Sequence, residues 1–284
     1  MKWQGRRQSR NIEDRRTQGG MRRAGGIGGF GLIAVVLIGW VLGVDVSPFL
    51  SNAGGGYSQS TGSTPLTAED RKAGEFVSVT LADTEVIWSE IFRKQVGKTY
   101  TPATLVLFKG ATSSPCGSAN GASGPFYCPA DRKAYLDTEF FTTMSQRMGA
   151  RGDFAAAYVV AHEIAHHVQN ELGIMAQANR VRAQVSQRES NQISVRIELQ
   201  ADCYSGVWAR YAEAKFGSIE PGDIEEAVNA AKQIGDDTLQ RNAGRRPNPH
   251  TFTHGSSKQR QTWFLRGYKS ADIRQCDTFS ASSL

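Results

Sequence analysis

The pattern of apolar and polar positions divides the chain before any residue is given a role. After a polar, arginine-rich start, residues 24–44 carry no charge, and Leu32 to Val44 is their most apolar part. About 20 apolar residues cross a bilayer as a helix, and glycine is tolerated there. This run is therefore expected to be one transmembrane helix. Residues 45–64 turn rich in Gly and Ser, the composition of a flexible linker. The folded domain is expected over 65–284. Within it, Thr67 followed by Glu69 and Asp70 reads as a helix start. Phe76, Val79, Ile87, Trp88 and Ile91 share its inner face, and Gly97 ends it. Thr104 to Phe108 and Lys133 to Leu136 read as short strands, and the second is expected to offer an edge to an extended peptide. Gly110 to Gly124, rich in Gly and Ser, reads as a loop between them. Asp137 caps a helix through Phe140, Phe141 and Met144. After Gly149 and Gly152, Phe154, Tyr158, Val159, Ala161, Ala165 and Val168 recur at helical spacing. Ile197, Ala201, Tyr204 and Trp208 mark another helix, and Ser256 caps one through Trp263, Phe264 and Tyr268. Two short strands among long helices predict an α+β domain, mainly helical, with a small sheet.

Charge adds a direction to this layout. Residues 1–23 hold eight Lys and Arg against Glu13 and Asp14, which accounts for the whole net charge of +6. The body is balanced, so the basic pI gives no support to nucleic-acid binding, which needs a basic face. Arginines before an apolar span keep that side inside. The expected topology is thus a basic cytoplasmic tail over 1–23, a single pass through the inner membrane, and a domain outside the cytoplasm. The length of the basic and apolar regions favours this anchor over a cleaved signal peptide. All four cysteines (Cys116, Cys128, Cys203 and Cys276) follow the span, and an even number on the oxidising side points to disulfides. Cys116 with Cys128 would close a short loop and leave Cys203 for Cys276, but three connectivities are open.

The candidate chemistry lies in the helix after Gly152. His162, Glu163 and His166 form the H-E-x-x-H pattern. Residues four apart share a helix face, so the two histidines can hold one tetrahedral zinc while Glu163 serves as base toward its water. A buried helix gives such groups no other ready partner. The metzincin extension is absent, because Gln169 and Leu172 stand where Gly and His are required. A third ligand is still needed. Glu198 supplies it in an E-x-x-x-D pattern, with Asp202 one turn on to accept the free N–H of a ligand imidazole. Cys203 points elsewhere. His167 is turned about 100° from His166 and reads as structural or exposed. In the Pro-rich loop 245–255, His254 is a candidate oxyanion helper, and His250 a weaker one.

Together these motifs carry a resemblance. The chain resembles the predicted neutral zinc metallopeptidases of bacteria, the YpfJ type. The match runs from Met1-Lys-Trp-Gln-Gly-Arg-Arg7 with Ser9, Asn11, Glu13 and Asp14, through Cys116-Gly and Gly124-Pro-Phe-Tyr-Cys-Pro129. It continues through Ala161-His-Glu-Ile-Ala-His-His-Val-Gln169 and Glu198-Leu-Gln-Ala-Asp-Cys203 to Thr253-His-Gly-Ser-Ser256 with Gln259 and Arg260. The resemblance implies a gluzincin-like, zincin-type domain with one zinc ion, ligands His162, His166 and Glu198, and Glu163 as base. The expected function is a membrane-anchored metallopeptidase acting on peptides or proteins of the cell envelope. The competing expectation is an envelope adaptor or scaffold that keeps a structural zinc and hydrolyses nothing. An intramembrane protease is excluded, because one apolar segment cannot enclose a catalytic chamber in lipid.

Overall fold

A computed structural model describes residues 1–17, 65–120 and 124–284, with two short paired strands at 22–23 and 57–58. The anchor expected over 24–44 and most of the linker over 45–64 lie outside the described residues. Among the described residues, no helix is long and apolar enough to cross a membrane.

The domain is mainly helical with a small sheet, as the apolar pattern predicts. Helix α1 (Ala68–Ile91) opens with a capping box between Thr67 and Asp70, and buries Phe76, Val79, Ile87, Trp88 and Ile91. It widens into a π turn at Phe92–Val96 and ends at Gly97, whose φ of 74° suits glycine. The main sheet has the order β1 (Ile12–Asp14), β4 (Thr104–Phe108), β8 (Lys133–Asp137), β7 (Phe126–Cys128). The first three strands run parallel and β7 runs antiparallel to β8. Strand β2 (Arg22–Arg23) pairs with β3 (Tyr57–Ser58), and β5 (Ala111–Ser114) pairs with β6 (Gly117–Asn120) as a hairpin inside the expected loop.

This order corrects one expectation. The 133–136 strand is not an edge, because β4 and β7 flank it and bury Ala134 to Asp137. The edge beside the cleft described below is β7. The disulfide Cys116–Cys128 ties its last residue to the β5–β6 turn.

Seven helices after the sheet build the rest of the domain. Helix α2 (Thr138–Arg147) starts at Asp137, which accepts from the Glu139 N–H. Helix α3 (Asp153–Glu171) is the centre of the domain, buried from Phe154 through Gln169. Helix α4 (Ile174–Arg182) follows on the surface side. Helix α5 (Gln187–Phe216) starts at the Ser186–Glu189 capping box, well before the predicted 195–208 core. After α6 (Asp223–Gln233) and α7 (Asp236–Asn242), α8 (Ser257–Ser270) packs against α5. Glycines permit that close crossing. A Cβ on Gly206 would fall 2.0 Å from the Phe264 carbonyl oxygen, and one on Gly267 would fall 1.9 Å from that of Cys203. The Cys203–Cys276 disulfide then clips the C-terminal turn (Ile273–Cys276) to α5.

The N-terminal segment departs furthest from expectation. The basic tail does not stand apart: residues 1–17 are part of the domain. Met1 and Trp3 are core residues, and Trp3 meets Phe76 edge-to-face at 5.5 Å. The Met1 ammonium sits among Asp153, Glu220 and Asp223 at 2.9–3.1 Å. Arg6 grips Asp83 of α1 through two bonds of 2.7 and 2.8 Å. Asn11 donates to Glu85 at 2.8 Å, and Glu13 takes Lys133 at 2.6 Å. Arg16 is buried, held by Asp14 and the Asp70 carbonyl over Gly74, where a Cβ would fall 2.5 Å from its guanidinium. Between Asn11 and these pairs, β1 completes one side of the sheet.

Candidate metal centre

Two helices bring the predicted residues together. The four-residue spacing on α3 places His162 and His166 on one face, their rings edge-to-face at 4.8 Å. Helix α5 passes beneath and presents Glu198. His162 Nε2 lies 3.1 Å from Glu198 Oε2, and His166 Nε2 lies 3.5 Å from Glu198 Oε1. One donor atom from each of the three residues falls within 4.8 Å of the others. Zinc bonds of 2.0–2.2 Å in a tetrahedron put donor atoms about 3.3 Å apart. Two imidazole nitrogens and a carboxylate at this spacing therefore fit a zinc ion.

The remaining ring nitrogens are held from behind. His162 Nδ1 lies 2.9 Å from Asp202 Oδ1, at ion-pair distance though off the ideal hydrogen-bond line. Asp202 is fully buried and also accepts from Tyr158 Oη at 2.6 Å and from Arg260 Nε and Nη2 at 2.8 and 2.9 Å. His166 Nδ1 lies 2.9 Å from Gln169 Oε1. Both imidazoles thus turn Nε2 toward Glu198.

The electrostatics follow from burial and from these partners. Burial disfavours a charge on His162, yet Asp202 and Glu198 overcome it and push the ring up to about 10. Burial takes His166 the other way, down to about 4. The Glu163 carboxyl is pushed up to about 7, first by burial and further by Glu198. Glu198 is held below the usual carboxylate range, burial being outweighed by His166 and His162. Arg260 and His162 likewise hold Asp202 down against its burial.

These groups open into one cleft of about 430 Å³, where His162, Glu163, His166, Glu198, His254 and Arg260 reach the wall. The apolar part of the wall comes from β7, α2, α3 and the flanking helices, with Phe126, Phe140, Met148 and Met175. His254 is brought here by a buried carboxylate on another helix. Buried Asp236, at the start of α7, accepts the backbone N–H groups of Thr253, His254 and Gly255 on Oδ2, at 2.8, 2.7 and 3.0 Å. Its Oδ1 lies 3.2 Å from His254 Nδ1. The loop is thereby fixed with the imidazole facing the cleft.

Other expectations resolve differently. His250 is exposed and does not line the cleft, so its weaker candidacy is corrected. His167 is buried and structural, with Nε2 at 2.7 Å from the Thr101 carbonyl and Nδ1 at 3.0 Å from Tyr127 Oη. The cysteines form the pairs Cys116–Cys128 and Cys203–Cys276, and no free cysteine remains. Tyr158, Gln169, Asp236 and Arg260 were not marked as site residues. One signal pointed to Arg260, a lone arginine on the same helical face as Trp263 and Phe264. Tyr158 carried none, because an aromatic in an apolar helix reads as core.

Comparison with known proteins agrees with the geometry. The family described as "Putative neutral zinc metallopeptidase" matches residues 1–279, the N-terminal segment included. The uncharacterized protein YpfJ of Escherichia coli K12 is 45% identical over 290 residues, covering 99% of this chain and 100% of that one. The uncharacterized protein Rv2575 of Mycobacterium tuberculosis H37Rv is 47% identical over 195 residues, covering 65% of each chain. No solved structure matches.

Proposed function

The chain belongs to the neutral zinc metallopeptidase family, and from that premise we propose that it is a zinc-dependent peptidase whose ligands are His162, His166 and Glu198 and whose general base is Glu163. The convergence of two imidazole Nε2 atoms and a carboxylate beside a buried glutamate, in one cleft, carries this reading. When bound, zinc supplies a Lewis acid and lowers the pKa of a coordinated water toward about 7. Glu163 follows His162 directly on α3 and, buried in the cleft, is the carboxylate placed to hold a proton as general base. Its burial favours holding the proton until it passes to the leaving amine. His254, oriented by Asp236, donates to the oxygen that gains charge on the scissile carbonyl. The β7 edge offers backbone groups to an extended peptide, and the apolar wall takes its side chains. An adaptor with a structural zinc would leave Glu163 and the cleft without a role. Glu163→Gln tests the reading: zinc content should persist while peptide hydrolysis disappears, and retained hydrolysis would remove Glu163 as base.

The proposal extends to location. Two disulfides favour an oxidising compartment, and this supports a domain in the cell envelope. Membrane attachment through 24–44 stays in the proposal with one change. A single crossing would put 1–17 and 65–284 on opposite faces, which is incompatible with a segment whose Met1 and Trp3 are core residues. Both flanks therefore belong on the same side. Single cysteines introduced at exposed Gln8 and, separately, at exposed Ser283 should be labelled by a membrane-impermeant thiol reagent from the same side; labelling from opposite sides would show that the segment leaves the domain.

A further inference from the structure

The two candidate ligand histidines are supported in different ways, and only the support of His162 is ionic. Behind His166 runs a chain of neutral amides. His166 Nδ1 meets Gln169 Oε1 at 2.9 Å. Gln169 Nε2 donates to the Ile197 carbonyl at 2.8 Å and to Gln200 Oε1 at 3.0 Å. Gln200 Nε2 donates to the Cys276 carbonyl at 3.1 Å. Gln169 and Gln200 are 0% and 4% exposed, so water does not compete for these groups.

The direction of the chain follows from its ends. A backbone carbonyl only accepts. The Cys276 carbonyl therefore requires the nitrogen of Gln200, which leaves Gln200 Oε1 as an acceptor. The Ile197 carbonyl and Gln200 Oε1 together require the nitrogen of Gln169, which turns Gln169 Oε1 to His166. That oxygen accepts, so Nδ1 of His166 carries the proton, and the lone pair of Nε2 faces Glu198. One tautomer is thus selected by two backbone carbonyls, that of Ile197 beside Glu198 and that of Cys276 at the far end. The far carbonyl belongs to a residue whose side chain is bonded to Cys203, the neighbour of Asp202 on α5. The same disulfide therefore keeps the end of the chain in register with the helix that presents Glu198.

We propose that Gln169 and Gln200 form a positioning relay that presents His166 Nε2 to zinc, anchored on the Cys276 carbonyl and held in register by the Cys203–Cys276 disulfide. The inference rests on the reading of His166 as a zinc ligand, but the tautomer it requires exists without the metal. A group behind a ligand imidazole commonly changes metal affinity by about 10–100-fold.

The test uses the full chain and two readouts. In metal-free protein, ¹⁵N shifts of the His166 ring should report the Nδ1–H tautomer. Gln169→Met, which keeps volume and removes the acceptor, should populate both tautomers. Chelator competition should then show zinc binding weakened by about 10–100-fold in Gln169→Met. Gln169→Glu keeps the acceptor at His166 but turns a second oxygen to the Ile197 carbonyl and Gln200 Oε1, so it should restore only part of the binding. Gln200→Leu, one step further from the ring, keeps the site intact should Gln169→Met fail to fold. It should weaken zinc by a smaller factor in the same direction. Removing Cys203 and Cys276 together by serine should weaken zinc as well, while the same change at Cys116 and Cys128 should not. An Nε2–H tautomer in the wild type, or unchanged tautomer and affinity in the Gln169 and Gln200 variants, would overturn the relay. Equal effects of the two disulfide pairs would remove the anchor from it. A wild type that takes up no zinc would instead sink the ligand reading, and the tautomer arm would still decide the relay.

Discussion

The N-terminal segment and the cleft between α3 and α5 both bring charge into the domain, but they complete it differently. In residues 1–17, cations are closed by local partners: Arg6 by Asp83, Arg7 by Glu85, Arg16 by Asp14, with Lys133 brought in on Glu13. The set is satisfied and holds a strand and two core side chains against α1. In the cleft, His162, His166 and Glu198 converge on one another while the two imidazoles are already held from behind by Asp202 and Gln169. Such an arrangement fits a cation that binds from outside. Closure by the chain's own residues marks structure. Convergence of donor atoms on a shared point, with both imidazoles braced from behind, marks a candidate site. The acids beside Met1 show why convergence alone is too weak a criterion. Asp153, Asp223 and Glu226 also lie within metal-binding reach of one another, and there the Met1 ammonium supplies the cation.

The comparison breaks most sharply at Glu198. If Glu198 is the third ligand, Glu198→Ala should abolish hydrolysis and weaken zinc beyond the roughly 100-fold typical of supporting groups. The melting temperature of the metal-free protein should change little. Full zinc retention would reassign the third ligand. The opposite pattern is expected on the other side of the comparison. Trp3→Ala should cost about 3–5 kcal/mol of stability by opening a cavity against Phe76, read by denaturant unfolding. Zinc affinity in the folded fraction should stay near wild type. An unchanged unfolding curve would mean that 1–17 does not belong to the folded core.

A smaller effect should come from Asp83. Burial pushes its carboxyl up to about 6 although Arg6 pulls it down. A folded-state pKa above the ordinary carboxylate value means that the native state binds this proton more tightly than the unfolded chain. The group's cost to stability is therefore absent below about pH 4, grows as pH rises through about 6, and is constant above. Melting curves between pH 4 and 7 should show this decline in the wild type and a shallower one in Asp83→Asn. Identical slopes would mean that Asp83 keeps an ordinary pKa.

What could be read from the sequence follows the same division. His162, Glu163, His166, Glu198 and Asp202 were legible because helix geometry converts fixed spacing into a shared face. The cores of α1, α3 and α8 were legible for the same reason. The start of α5 was missed because Gln187 to Ser194 is polar, although Ser186 and Glu189 form the capping box that begins it. Strand order escaped because β8 and β7 are both too short to say which lies outside. Ile12-Glu-Asp14 has no strand pattern of its own, and pairing with β4 makes it one. Its arginines read as a free tail because composition counts charges without showing their partners. Asp236, Gln169 and Gln200 escaped for a related reason: buried polar residues acquire a role only from groups distant in sequence.

The central claim is that the converging residues form a hydrolytic centre and not a structural metal site. The most direct test compares wild type with Glu163→Gln for zinc content and for cleavage of a mixture of envelope peptides. Both proteins should hold one zinc each, and only the wild type should cleave. Equal cleavage by the two, or zinc without cleavage in either, would contradict the account.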